Sequence, residues 1–300
     1  MKILVTGATG LIGKALCTQL AGEGHEIAIL TRRKQSESPY QIYQWDPQSA
    51  PAPAAALAGQ DAVIHLAGES VANGRWTDEK KRRIRESRVT GTRNLVAGMR
   101  EVKDGPRVLV SGSAVGYYGS RGDEKLDERS RPGVGFLSEV CIEWENEALQ
   151  AAESGVRVAL VRTGLVMARE GGALAQMLPI FRLGLAGSLG DGRQWFPWIH
   201  RDDEVGIIRH ALLHDAIKGP INAAAPGIVT NAEYTKTLAQ TLNRPAFFSV
   251  PEFMLNLIFG EMGKALLASQ RMIPNVAAET KFDFRFPTLK GALVDLLGHE

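Results

Sequence analysis

The segment TGATGLIG (6–13) follows the apolar run KILV (2–5) and leads into a helical pattern from Leu11 to Glu23. A strand, a Gly-x-x-Gly-x-x-Gly turn and a helix together form a phosphate-binding device. Gly7 permits the tight turn, Gly10 lets backbone approach a pyrophosphate, and Gly13 lets the helix pack close to the strand. The helix start then offers free N–H groups and the positive end of its dipole to an anion. Gly7, Thr9, Gly10, Leu11, Ile12 and Gly13 are therefore the expected phosphate contacts.

The rest of the first half repeats this strand-and-helix alternation. Strands are expected at GHEIAILT (24–31), more weakly at YQIYQW (40–45), and at DAVIHLAG (61–68), RVLVSGS (107–113) and VRVALVRTG (156–164). Helices are expected from about Thr77 to Arg100 and from Leu137 to Glu153. Apolar strands separated by helices imply a parallel sheet covered on both faces. The fold class is thus α/β: a Rossmann-type doubly wound parallel sheet with a smaller C-terminal α+β lobe, whose less regular pattern begins near residue 165. MLNLIFG (254–260) is too short to span a membrane and reads as core helix.

Which dinucleotide fits depends on the end of the second strand. A carboxylate there would bind a ribose 2′-hydroxyl. The chain instead has LTRRK (30–34), with Thr31, Arg32 and Arg33. Guanidinium groups complement a 2′-phosphate through paired, charge-assisted hydrogen bonds, so NADP(H) is expected over NAD(H). The alternative is a solvated basic turn.

Other ligand classes are disfavoured. With 35 basic and 33 acidic residues the net charge is +2, which gives no global field for nucleic acid or membrane. Cys17 and Cys141 form no metal-ligand spacing, and two cysteines suit a reducing cytoplasm. No secretory leader is evident, and no apolar stretch is long enough to cross a membrane.

These motifs resemble the extended short-chain dehydrogenase/reductases of the NAD-dependent epimerase/dehydratase superfamily. HLAG (65–68) resembles the loop beside adenosine and ribose, which implies contacts from Leu66, Ala67 and Gly68. GTRNLV (91–96) resembles the helix that follows. SGSAVGYYG (111–119) resembles the fifth-strand end, and WIHRDDEV (198–205) resembles a late motif ending in Asp-Asp-Val. RTGLV (162–166) resembles the nicotinamide-contacting segment, which implicates Arg162 and Val166. The resemblance covers residues 1–225 as a cofactor-binding domain with segments of the substrate lobe from about 165. Residues 242–293 look like the C-terminal domain of unknown function of one atypical, epimerase-like branch.

One departure changes the expectation. The superfamily places Tyr-x-x-x-Lys on the helix after the fifth strand, where the spacing stacks both side chains on one face. Here that helix begins GFLSEVCIEWENEA, with Phe136 and Val140, or Leu137 and Cys141, at those places. No tyrosine in the chain has a lysine four residues on.

Ser111 and Ser113 close the fifth strand, at the sheet edge where ligands sit, and Tyr117 and Tyr118 follow. Ser111 is a candidate cofactor contact; Ser113 and Tyr117 are candidate catalytic groups, and the alternative is that both tyrosines fill space under the second lobe. On the charged helix, Arg88 falls on the apolar stripe of Ile84, Gly91, Leu95 and Met99. A charge seldom faces inward unpaired, so Arg88 is expected to meet a cofactor phosphate or an acidic partner. Trp195, Phe196 and Trp198 either line a substrate pocket or fill the lobe. Arg193 is a candidate for an anionic substrate group, and His200 for a replacement acid/base or a structural histidine. One His and two adjacent Asp (200–203) do not make a metal set. The expected function is an NADP(H)-binding oxidoreductase or epimerase-like enzyme acting on a small molecule without the usual pair. The alternative is a catalytically silent NADP(H)-binding sensor or regulator.

Overall fold

The structure, a computed structural model, describes residues 1–32, 38–72 and 74–298. Its centre is a seven-stranded, all-parallel sheet. In chain order the strands are β1 (Lys2–Thr6), β2 (Glu26–Thr31), β3 (Gln41–Gln44), β4 (Ala62–His65), β5 (Val108–Ala114), β6 (Arg157–Thr163) and β7 (Gly219–Ala223). They lie in the order β7-β6-β5-β4-β1-β2-β3. The order reverses between β1 and β4, which opens the ligand crevice of such sheets beyond their C-terminal ends.

Alternation along the strands explains the two covered faces. Ile3, Val5, Ile27, Ile29, Ile64, Val110 and Val161 point to α1 (Leu11–Gly22) and to α4 (Arg201–Leu213). Leu4, Ala28, Leu30, Val63, Leu109, Val158 and Leu160 point the other way. They meet Leu95, Val96 and Met99 of α2 (Asp78–Glu101) and Ala148 of α3 (Phe136–Leu149). Successive side chains serve opposite layers, so each strand is apolar throughout. Truncating a fully buried side chain such as Leu16 to Ala would cost about 2–5 kcal/mol.

The helices keep close to their expected limits. Thr77 caps α2 by accepting from the Lys80 amide. α3 starts one residue early and gives way to a 3₁₀ turn at Gln150–Ser154.

The lobe is built from three separate stretches. Met167, Leu174, Leu178, Phe181 and Trp198 pack with Tyr234 and Leu238, and with Leu289, Leu293 and Leu297 near the end of the chain. The tail also threads back to the main sheet. Arg271–Met272 pairs with Lys125–Leu126, and Ala277, Phe282 and Phe284 join the α1–α4 side.

The helix Glu252–Phe259 corrects a sequence expectation. Only Leu255 is buried; Phe253 is 69% and Leu257 73% exposed. MLNLIFG is therefore a surface helix and not a core one. It is held by Arg75, whose Nη2 donates to the Leu257 carbonyl, and beside it Lys81 pairs with Glu261.

Candidate functional site

The glycine turn is fixed by backbone contact. Gly7 has φ +72°, and a Cβ there would lie 2.7 Å from the Leu66 carbonyl carbon. A Cβ on Gly13 would lie 2.2 Å from the Gly7 oxygen. Gly10 is the N-cap of α1, no side chain caps that end, and no acid sits in the first turn. The Gly10 amide closes the turn by donating to the Gly7 carbonyl, and the N–H groups of the first helical residues, Leu11 and Ile12, thus suit an anion. A groove of about 750 Å³ opens beside the turn, with Thr9 and Leu11 on one rim and Arg201, Asp202 and Arg285 on the other.

The next wall is the loop after β4. Leu66 and Ala67 donate their amides to the Thr6 carbonyl and Thr6 Oγ1. Gly68 faces Arg88: a Cβ on it would come 3.2 Å from the guanidinium carbon. Arg88 Nη1 donates to the carbonyls of Glu69 and Ile84, and the guanidinium lies 5.2 Å from the Trp144 ring centroid. Burial lowers its pKa, against the opposing pull of Cys141 and Glu69. Arg88 therefore faces inward and forms no ion pair among the described residues. Thr31 is half-buried at the end of β2, and Arg32 is exposed. The Glu69 carboxyl is held below its ordinary value, first by the Lys80 hydrogen bond and more weakly by Arg83 and Arg32. Arg33 lies outside the described residues.

A second cluster lies at the ends of β5 and β6. Ser113 Oγ donates to Glu145 Oε1 at 2.6 Å. Arg162 donates to both oxygens of Glu145, at 2.8 Å each, and to Tyr118 Oη at 3.0 Å. The Tyr117 ring centroid lies 3.5 Å from the Arg162 guanidinium carbon. Burial opposes the charge on Arg162, but the bonds from Glu145 outweigh it and raise its pKa. Glu145 thus accepts from Arg162 and from Ser113, and the Ser113 proton is committed to it. The lone pairs of Ser113 are left to face the edge. Ser111 is buried and donates to the Gly112 carbonyl. Val166 is half-buried against the α1–α4 core.

The places expected for Tyr and Lys hold no such chemistry. Phe136 is half-buried and meets Trp76 edge-to-face, while Leu137 packs on Gly116. Burial pushes the Cys141 thiol up to about 12. The alternatives left open further along divide as follows. Trp198 is core, donating Nε1–H to the Gly227 carbonyl, and Phe196 packs on Tyr234. Trp195 remains half-exposed, bonded to Asp123 and covered by Arg271. Arg193 is exposed. His200 is buried: its Nδ1 accepts from the Asp202 amide to cap α4, and its Nε2 lies 3.3 Å from Asp295. With Nδ1 an acceptor, Nε2 carries the proton, and the ring joins α4 to the tail.

Two residues at this edge were not singled out from sequence. Glu145 extends the buried stripe of Cys141, Trp144 and Ala148; Glu204 shares one with Ile207, Ile208 and Ala211. An acid on an apolar stripe is the signal that would have found both.

Residues 3–224 match the model of the NAD dependent epimerase/dehydratase family, and residues 250–296 match a domain of unknown function. An epimerase family protein of Mycobacterium tuberculosis is 37% identical over 292 residues, covering 97% of this chain and 96% of its own. A chloroplastic epimerase family protein of Arabidopsis thaliana is 40% identical over 305 residues, covering 98% and 86%. The crystal structure of the human epimerase family protein SDR39U1 with NADPH aligns at TM-score 0.89 and 34% identity over 99% of each chain.

Proposed function

The chain belongs to the NAD dependent epimerase/dehydratase family, and from that premise we propose that it binds NADP(H) and acts as an oxidoreductase or epimerase-like enzyme on a small molecule. The observation that carries this reading is the uncapped start of α1 behind Gly7, Gly10 and Gly13, coupled to a β2 that ends at Thr31 and is followed by Arg32 without a carboxylate. The human relative crystallised with NADPH supports the same choice. In this reading the amides at Leu11 and Ile12 bind the pyrophosphate, which the bare Gly10 lets approach, and Arg32 with Arg33 binds the 2′-phosphate. Leu66, Ala67, Gly68 and Arg88 line the ribose side. Thr31, Ser111 and Val166 flank the crevice, with Arg162 behind Ser113. The cofactor supplies hydride; the protein must orient the substrate and handle its proton. Ser113, its own proton held by Glu145, accepts a hydrogen bond from a substrate hydroxyl, and Tyr117 is the neighbouring phenol. Residues 1–225 form the cofactor-binding domain, including the lobe segments from about 165, and 242–293 the C-terminal domain. Among the described residues no helix is long and apolar enough to cross a membrane. Both cysteines are free and buried, in keeping with a cytoplasmic protein.

Titration with NADPH and NADH tests the cofactor. NADPH is expected to bind at least about tenfold more tightly, and Arg32→Ala to erase the difference, because a charge-assisted bond contributes about 1.5–3 kcal/mol. Equal affinities, or no loss in Arg32→Ala, overturn the NADP(H) reading. Turnover on a panel of carbonyl compounds and sugar nucleotides supports an enzyme. The absence of a Tyr-x-x-x-Lys pair favours a second reading, a silent NADP(H) sensor, and tight binding without turnover selects it.

A further inference from the structure

Glu204, on the first turn of α4, is fully buried. Its Oε1 accepts from Thr163 Oγ1 at 2.7 Å, and its Oε2 has no hydrogen-bond partner among the described residues. Thr163 is the last residue of β6 and is half-buried at the crevice edge. A buried carboxylate is costly unless it is paired. Among the described residues no charged group pairs Glu204: from α1, β5, β6, β7 and the strands Leu165–Met167 and Trp198–His200, the polar group acting on it is Thr163. His200, Asp202 and Asp203, its neighbours on the chain, exert no resolved effect on it. Burial raises its pKa to about 8, with the Thr163 bond working against the rise. The group is therefore neutral at pH 7 and becomes an anion on mild alkalinisation.

We propose that Glu204, set one hydroxyl behind the crevice, is a proton-switched positioning residue that makes the site favour the oxidised cofactor once it is ionised. The inference rests on the NADP(H) reading, with the nicotinamide ring lying toward the end of β6. Oxidised and reduced cofactor share the adenosine, its 2′-phosphate, the pyrophosphate and the second ribose. They differ in that the oxidised ring is a cation and the reduced ring is neutral. A neutral Glu204 does not distinguish them electrostatically. An ionised Glu204 attracts the cationic ring through a poorly screened medium and gives the neutral ring no such gain. Linkage requires the converse: the oxidised cofactor lowers the pKa of Glu204 when it binds.

The test measures dissociation constants for NADP⁺ and NADPH on the intact protein between about pH 6.5 and 9.5. Adenosine 2′,5′-bisphosphate, which lacks the ring, is titrated in parallel. The ratio of the NADP⁺ to the NADPH constant is expected to be level below pH 7. It should then fall by roughly tenfold through the ionisation of Glu204, since one pKa unit corresponds to a factor of ten. In Glu204→Gln, which keeps the shape and cannot ionise, the ratio stays level. The 2′,5′-bisphosphate binds the variant and the wild type alike at every pH. Thr163→Val removes the bond that opposes the pKa rise and moves the onset to higher pH. A purely structural role for Glu204 moves neither ratio nor onset. A level ratio in the wild type, the same fall in Glu204→Gln, or an unmoved onset in Thr163→Val overturns the inference. Failure to bind either dinucleotide overturns the NADP(H) reading and the inference with it, a result distinct from tight binding with a level ratio.

Discussion

Ser113 and Thr163 end neighbouring strands, and a buried glutamate stands behind each. The resemblance stops at charge. Glu145 has the two-pronged ion pair with Arg162, and it fixes the direction of the Ser113 bond. Glu204 has no cation beside it among the described residues, and burial raises its pKa to about 8. The same acid behind the same kind of hydroxyl gives a locked acceptor on the α3 side of the sheet and a switchable group on the α4 side. A cation beside one carboxyl group and none beside the other is how one fold assigns them different tasks.

Substitutions can break this contrast in order of size. Arg162→Met removes one partner of the buried Arg162–Glu145 pair, and unfolding in urea should show a loss of about 3–5 kcal/mol; a loss below about 1 kcal/mol would mean that the pair does not hold α3 to the end of β6. Glu204→Gln acts the other way. The native pKa lies above the ordinary value of 4.5, so the wild type loses stability as pH rises from there toward 8. The glutamine variant should therefore be more stable by about 1–3 kcal/mol at pH 8, and the gain should vanish near pH 4.5. A gain that grows toward acid pH would reverse the assignment. Ser113→Ala removes one donor from a carboxylate that keeps Arg162, with an expected cost of about 1–2 kcal/mol. Thr163→Val leaves a neutral carboxyl short of one bond and should cost about 1 kcal/mol or less. Equal losses at the two hydroxyls would erase the distinction.

Much of the frame was legible in the sequence because it rests on local rules. Strand runs without polar alternation announced a sheet covered twice, and Arg88 announced its inward aim by its place on the stripe of Ile84, Leu95 and Met99. What escaped depends on partners remote in sequence. Arg162 meets Glu145 across 17 positions and Thr163 meets Glu204 across 41, so topology chose which acid received a cation. The surface helix Glu252–Phe259 escaped for a different reason. In these eight residues the polar pair Glu252 and Asn256 shares one face, yet the apolar Phe253, Met254, Leu257 and Ile258 are the exposed ones, so the pattern did not tell the outer face from the inner one.

The threading of the tail bears on how the protein is made. Synthesis delivers β7 by residue 223, so all seven strands are present before the last quarter of the chain exists. At that stage Asp203 lacks the amides of Arg285 and Phe286, and Glu128 lacks that of Val276. Asn222 lacks the Ile273 carbonyl, and the surface of α4 at Gly206 lacks the Phe282 ring. A nascent chain of that length therefore carries a finished sheet with polar groups and apolar surface still waiting for cover. Its passage off the ribosome is the interval in which it most needs a chaperone.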